Sequence, residues 1–182
     1  MLILASSSPR RKELLSMAGI KYVCIPSDAD ETVPEGIDIS KVSEYLAQVK
    51  AEAVLKRHPS DTVIGADTTV AVDGTLLGKP KDENDAFRMI RLLSGRTHTV
   101  YTGVSVMSAS CSHSFTSATD VEFYDLPDSE ILEYIRTGEP MDKAGAYGIQ
   151  GYGSVLVKKI SGDFFTVMGL PIAETIRVLR SL

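Results

Sequence analysis

The chain has 182 residues, 43% of them hydrophobic and 24% charged, with a formal net charge of −5. That length and balance suit one globular domain with a sizeable core, and the acidic sign argues against a general nucleic-acid binder, though not against a local basic pocket. Cys24 and Cys111 show no metal-ligand spacing and imply no disulfide framework. No apolar run approaches the length of a membrane span, and Leu2-Ile3-Leu4-Ala5 is too short for a signal peptide, with arginines after it rather than before it. A cytoplasmic protein without membrane or nucleic-acid partners is expected.

In chain order, residues 2–5 read as a short buried strand. A helix follows from Pro9 to near Gly19, with Ser8 as N-cap, Pro9 at the first helical position and Gly19 at the C-terminal cap. Residues 21–26 read as a strand and 27–39 as a polar, acidic loop. A helix over 40–57 places Val42, Leu46, Val49 and Ala53 on one stripe. Residues 62–66 form a strand, and 69–77 a hairpin turning at Asp73-Gly74. The next helix spans 82–94, with Ala86, Met89, Ile90 and Leu93 at helical spacing and Gly95 as its stop. Residues 98–107 and 114–124 read as a long antiparallel pair. A helix over 128–137 ends at Gly138, 145–153 is a glycine-rich loop, 155–160 a strand and 170–182 a closing helix. There is no repeat, linker or low-complexity tract, so a single domain over 1–182 is expected. The alternation of elements implies an α/β fold, with a mixed twisted sheet flanked by helices.

Five groups of residues could carry chemistry. Arg10, Arg11 and Lys12 crowd the first turn of the first helix, where the macrodipole is already positive. A bound anion would relieve that conflict, held by free backbone N–H groups, Ser6 and Ser8 hydroxyls and the two arginines; the alternative is a solvated basic turn. In Asp28-Ala29-Asp30-Glu31-Thr32, Glu31 could help hold a divalent cation, or the segment is an exposed acidic loop. Lys50 lies beside the apolar stripe of its helix, where snorkelling is the ordinary behaviour. Asp67 appears where an apolar strand should leave the core, with Gly78-Lys79-Pro80 on the next turn. An acid able to bind metal or activate water near a phosphate-holding lysine points to a phosphorylated substrate; a buried salt bridge between the two is the structural alternative. Finally, residues 138–151 are too long and glycine-rich for a simple connector. Within them Gln150 offers an amide that both donates and accepts, or is a turn residue bonded to backbone. His58, His98 and His113 are scattered and read as structural or exposed.

Taken together these segments resemble the Maf family of nucleoside triphosphate pyrophosphatases. The marks run in order along nearly the whole chain: Ser6-Ser7-Ser8-Pro9-Arg10-Arg11, Asp30-Glu31, Leu46-Ala47 leading to Lys50-Ala51, Gly65-Ala66-Asp67-Thr68, Gly78-Lys79-Pro80, Leu93-Ser94-Gly95-Arg96 with Thr102-Gly103-Val104, the loop from Lys143 to Gln150, and Gly169-Leu170-Pro171. The resemblance implies two lobes around a central cleft, as in the inosine triphosphate pyrophosphatases, and hydrolysis of nucleoside triphosphates to monophosphate and pyrophosphate. It also implies a divalent metal (Mg or Mn) held by Glu31 and Asp67, a homodimer, and a part in nucleotide-pool cleansing and septum formation. By the same resemblance Asp67 is the general base, Glu31, Lys50 and Lys79 line the catalytic site, and Arg10, Thr68 and Gln150 set the choice of base.

Relatives of the 7-methyl-GTP type carry Trp, Gln and Glu where this chain has Arg10, Thr68 and Gln150, so the match is to the dTTP/UTP branch. A glutamine amide suits the carbonyl, N–H, carbonyl edge of uracil and thymine, whereas the adjacent donors of guanine suit a carboxylate. The competing reading is a nucleotide-binding regulator whose hydrolysis is vestigial. The presence of Asp67, Glu31, Lys50 and Lys79 together speaks against it.

Overall fold

The computed structural model describes residues 1–181; Leu182, the last residue of the expected closing helix, lies outside them. The elements are β1 (Leu2–Leu4), α1 (Pro9–Met17), β2 (Val23–Cys24), α2 (Ile39–Arg57), β3 (Thr62–Val72), β4 (Thr75–Leu77), α3 (Glu83–Leu93), β5 (Thr97–Met107), β6 (Ser112–Phe123), α4 (Asp128–Arg136), β7 (Val157–Ser161), α5 (Phe164–Met168) and α6 (Ile172–Ser181). Short 3-10 turns at Glu139–Asp142, Ala144–Ala146 and Gly151–Leu156 occupy the interval between α4 and β7. The strands form one mixed sheet in the order β2-β1-β3-β5-β6-β7, with β4 paired to β3. β1 runs parallel to β2 and β3, while β4 and β7 run antiparallel to β3 and β6. The expected α/β class with helices around a mixed sheet is what the chain adopts.

The chain divides into two compact units. The first comprises 1–68, 102–117 and the segment from Gly169 onward. Its core gathers Ile3, Ala5, Ala51, Val54, Val63 and Met107. α1 starts where Ser8 accepts from the Arg11 backbone N–H at 3.5 Å, at the outer limit of a hydrogen bond, and the chain leaves it through Gly19 at φ +71. α2 starts one residue earlier than expected because Asp38 caps it: the Asp38 carboxylate accepts from the Ser40 N–H at 2.8 Å.

The buried face of α2 also differs from the expected stripe. Val42, Ser43, Leu46, Ala47, Ala51 and Val54 are buried, whereas Val49 and Ala53 are only partly so. The cause is close approach of the helix to the sheet. A Cβ on Gly65 would collide with the Ala47 carbonyl oxygen, and one on Gly103 with the Ser43–Glu44 peptide. Glycine on the strands, with Ala47 and Ala51 opposite Gly65 and Ser43 opposite Gly103, removes the bulk that would hold the layers apart.

The second unit comprises 69–101 and 118–168. Its core is built on Val72, Leu77, Ile90, Leu93, Val100, Phe123, Ile131 and Leu156. The β3–β4 hairpin turns at Asp73 (φ 48) and Gly74 (φ 74), as expected for a two-residue loop with both centres left-handed. Asp82 caps α3 by accepting from the Asp85 N–H at 2.8 Å. Arg91 joins α3 to α4 by donating to the Leu126 carbonyl at 2.7 Å and pairing with Asp128. His98 is buried; its Nε2 lies 2.7 Å from the Tyr147 hydroxyl and its ring stands edge-on to Phe123. Burial pushes its pKa down to about 4, with Asp120 opposing.

Candidate active site

The expectation that β3 ends before Asp67 is not met. β3 runs unbroken from Thr62 to Val72, so Asp67 and Thr68 project from mid-strand. Alternation along the strand puts Gly65 and Asp67 on one face. On α2, Ala47 and Ala51 bracket Lys50. The contact of Gly65 with Ala47 and Ala51 therefore delivers Lys50 to Asp67.

The result is a compact charged cluster. Lys50 Nζ donates to Asp67 Oδ1 at 2.6 Å and lies 3.0 Å from Glu31 Oε2. The Lys50 and Asp67 side chains are 12% and 14% exposed, and Glu31 is 53% exposed. Lys50 is thus no snorkelling surface lysine, and Glu31 is drawn out of the acidic loop onto it. The ion partner of Asp67 is Lys50 from α2 rather than Lys79, the neighbour suggested by sequence proximity.

Beside this cluster sits a second one. Arg11 donates through Nε to the Gly169 carbonyl at 2.8 Å, through Nη1 to Ser6 Oγ at 3.2 Å and through Nη2 to Thr68 Oγ1 at 3.1 Å. Thr68 Oγ1 also meets Thr102 Oγ1 at 2.9 Å. Ser6 Oγ accepts from the Ser8 N–H at 3.2 Å as well, so both serines are tied into the start of α1. Burial lowers the Arg11 pKa from its ordinary value, and the negative charge of Asp67 opposes that. Gly169 has φ +113, which favours glycine, and a Cβ there would stand a tight 3.3 Å from Thr68 Oγ1. The first turn of α1 itself holds no acidic residue; the negative charges of Asp67 and Glu31 act on Arg11 from outside the helix.

The remaining expected residues belong to the second unit. Lys79 is exposed, and the carbonyl of its neighbour Gly78 accepts from the Gly145 N–H at 3.0 Å. Gln150 is half-buried in extended backbone (φ −100, ψ 171) just before the last 3-10 turn.

Comparison with known proteins supplies the decisive observation: residues 1–182 match the family described as Maf-like protein. The chain belongs to the Maf family. It is 51% identical to the dTTP/UTP pyrophosphatase of Bacillus pumilus (strain SAFR-032), over 99% of this chain and 95% of that protein. It is 49% identical to the dTTP/UTP pyrophosphatase of Geobacillus sp. (strain WCH70), over 100% of this chain and 97% of that one. In fold it resembles the Ham1 protein of Staphylococcus aureus, with a TM-score of 0.55 at 17% identity, covering 86% of this chain and 79% of the other. A HAM1 protein from Coxiella burnetii matches with a TM-score of 0.55 at 13% identity, covering 100% and 98%. These two likenesses concern the fold, and they bear out the fold class expected from the sequence.

For a divalent cation, the donor set of this Maf-family chain is small but apt. Among the described residues no group of three or more His, Cys, Asp or Glu side chains could hold a metal ion. Two carboxylates, Glu31 and Asp67, do meet at one ammonium. A magnesium-type ion is commonly bound by one or two carboxylates, with water and substrate phosphates completing its shell. The residues present therefore fit such an ion.

Sequence reasoning gave no role to Thr102, Gly169, Gly65 or Ala47. All four lie in the motifs that carry the resemblance, and Gly65 carries a second signal, a glycine within a strand pattern, which marks a close backbone approach. Among the described residues, no helix is long and apolar enough to cross a membrane.

Proposed function

We propose that this Maf-family chain is a nucleoside triphosphate pyrophosphatase acting on dTTP and UTP, modified uridine triphosphates included. The observation that carries the reading is Lys50 Nζ standing 2.6 Å from Asp67 and 3.0 Å from Glu31, on a chain about half identical to proteins named dTTP/UTP pyrophosphatase. In this reading Asp67 takes a proton from water as the water oxygen attacks the α-phosphorus. The bond from the α-phosphorus to the bridging oxygen breaks, and pyrophosphate leaves with that oxygen and the bond's electron pair. Lys50 orients the Asp67 carboxylate and places positive charge beside the reacting phosphate. Lys79 contributes a second cation. Glu31 and Asp67 would hold a divalent ion, which supplies charge neutralisation on the triphosphate. Ser6, Ser8 and Arg11 bind the phosphate chain at the start of α1. Arg10, Thr68 and Gln150 select the base. A homodimer in the cytoplasm, serving to cleanse the nucleotide pool with septum formation as a downstream consequence, completes the proposal.

The test is product analysis on dTTP, UTP, CTP, GTP and 7-methyl-GTP with magnesium, with manganese and with a chelator. Monophosphate and pyrophosphate from dTTP and UTP, lost on chelation, are expected. Asp67→Asn should lower turnover by about 100-fold or more while nucleotide binding persists. Orthophosphate and the nucleoside diphosphate as products, or wild-type turnover in Asp67→Asn, would overturn the reading.

A further inference from the structure

We infer that Glu139 is the positioning residue of the base-selecting loop, fixing where Gln150 stands; the inference rests on the proposal above that Gln150 reads the base. Glu139 follows Gly138, whose left-handed backbone (φ +73) stops α4 and turns the chain back toward it. Its carboxylate is half-buried and accepts three hydrogen bonds. They come from the Tyr134 hydroxyl at 2.9 Å, the Tyr152 N–H at 2.9 Å and the Gly153 N–H at 3.0 Å. The Tyr134 hydroxyl, on the buried face of α4, in turn accepts from the Gly148 N–H at 3.0 Å. Gln150 is therefore clamped from both sides: Gly148 is held through Tyr134, and Tyr152 and Gly153 are held directly by Glu139.

Gly151 is explained by the same carboxylate, and Gly148 and Gly153 lie close to it. A Cβ on Gly151 would strike Glu139 Oε2, and Gly151 itself sits at φ +65. A Cβ on Gly148 would come within 3.3 Å of Glu139 Oε1, and one on Gly153 within 3.2 Å of it and 2.8 Å of the Tyr134 hydroxyl. Gly151 leaves room for the carboxylate itself, while the tightest neighbour is Lys143 Cε at Gly148 and the Gly148 carbonyl oxygen at Gly153. Lys143 Nζ donates to the Glu139 carbonyl at 2.6 Å, securing the start of the loop as well. A carboxylate with three donors is a strong organiser, because hydrogen bonds to a charged acceptor exceed neutral ones. A displacement of about 1 Å in a substrate-contacting group can cost about 100-fold in rate.

The experiment measures kcat and KM on dTTP, UTP and GTP, with thermal unfolding, for the full-length wild type, Glu139→Ala, Glu139→Gln, Tyr134→Phe and Gln150→Glu. Glu139→Ala should lower kcat/KM on dTTP and UTP by about 100-fold. It should also lower the dTTP-to-GTP ratio of kcat/KM by about tenfold or more, in the direction of Gln150→Glu. Glu139→Gln keeps the acceptor oxygen but sets an N–H against an N–H, so it should fall between alanine and wild type. A purely structural role would depress all three nucleotides by one factor. Such a uniform loss, or an unchanged ratio in Glu139→Ala, would overturn the inference; should that variant not fold, the ratio in Glu139→Gln and Tyr134→Phe decides in the same way. An unchanged ratio in Gln150→Glu overturns the base-reading proposal itself and this inference with it. A shifted ratio in Gln150→Glu alone overturns only the positioning role.

Discussion

Adding one methyl group at Gly65 should damage both the stability and the chemistry of this chain, and the structure says by how much. A Cβ there would lie 2.9 Å from the Ala51 nitrogen and 3.0 Å from the Ala51 Cβ, and closer still to the Ala47 carbonyl oxygen, where an ordinary contact begins near 3.4 Å. Two of these neighbours are backbone atoms of α2, so no rotamer change relieves them. The helix must withdraw by about 1 Å, an overpacking strain worth about 1–3 kcal/mol. For a chain of this length that is a fall of about 2–12 °C in Tm. Lys50 rides on the same turn of α2, and its 2.6 Å bond to Asp67 would lengthen beyond hydrogen-bonding range. Turnover on dTTP should then fall by about 10- to 100-fold in Gly65→Ala, measured well below its Tm. Wild-type turnover in a variant with the lowered Tm would refute the argument that this helix–strand spacing sets the Lys50–Asp67 geometry. An unchanged Tm would refute the contact itself.

Two further outcomes follow from the same physics. Arg11→Lys keeps the charge but loses the planar fork that serves Ser6, Thr68 and Gly169 at once, so kcat/KM on dTTP should fall by about tenfold, and lysine kinetics equal to arginine's would count against the fork. His98 binds a proton with a pKa of about 4 in the folded chain and at its ordinary 6.5 in the unfolded one. The unfolded state therefore takes up the proton first, and stability falls as pH drops through that window. Between pH 7 and pH 5 the wild type should lose about 2 kcal/mol more than His98→Gln in urea unfolding, and parallel pH profiles would refute the assignment.

Much of the local structure is legible in the sequence because its signals act over a few residues. Ser8, Pro9 and Gly19 bound α1, Asp73-Gly74 makes the hairpin turn, and Gly138 stops α4. The ordered motifs also named the family, since eight short patterns in sequence leave little room for coincidence. The sequence nominates each candidate site residue singly, without the partner it meets in the folded chain. Whether β3 stopped at Ala66 or ran on through Asp67 depended on the neighbouring strands of the sheet, which no window of β3 contains. Which face of α2 was buried depended on Gly65 and Gly103, two strand positions that let Ala47, Ala51 and Ser43, rather than the larger Val49, face the sheet. Lys50 and Asp67 are 17 residues apart in the chain, and Arg11 and Gly169 are 158 apart. Composition and spacing can nominate a carboxylate, a lysine and an arginine. Only the distance of closest approach between packed backbones, set in tertiary structure, decides which charge each of them meets.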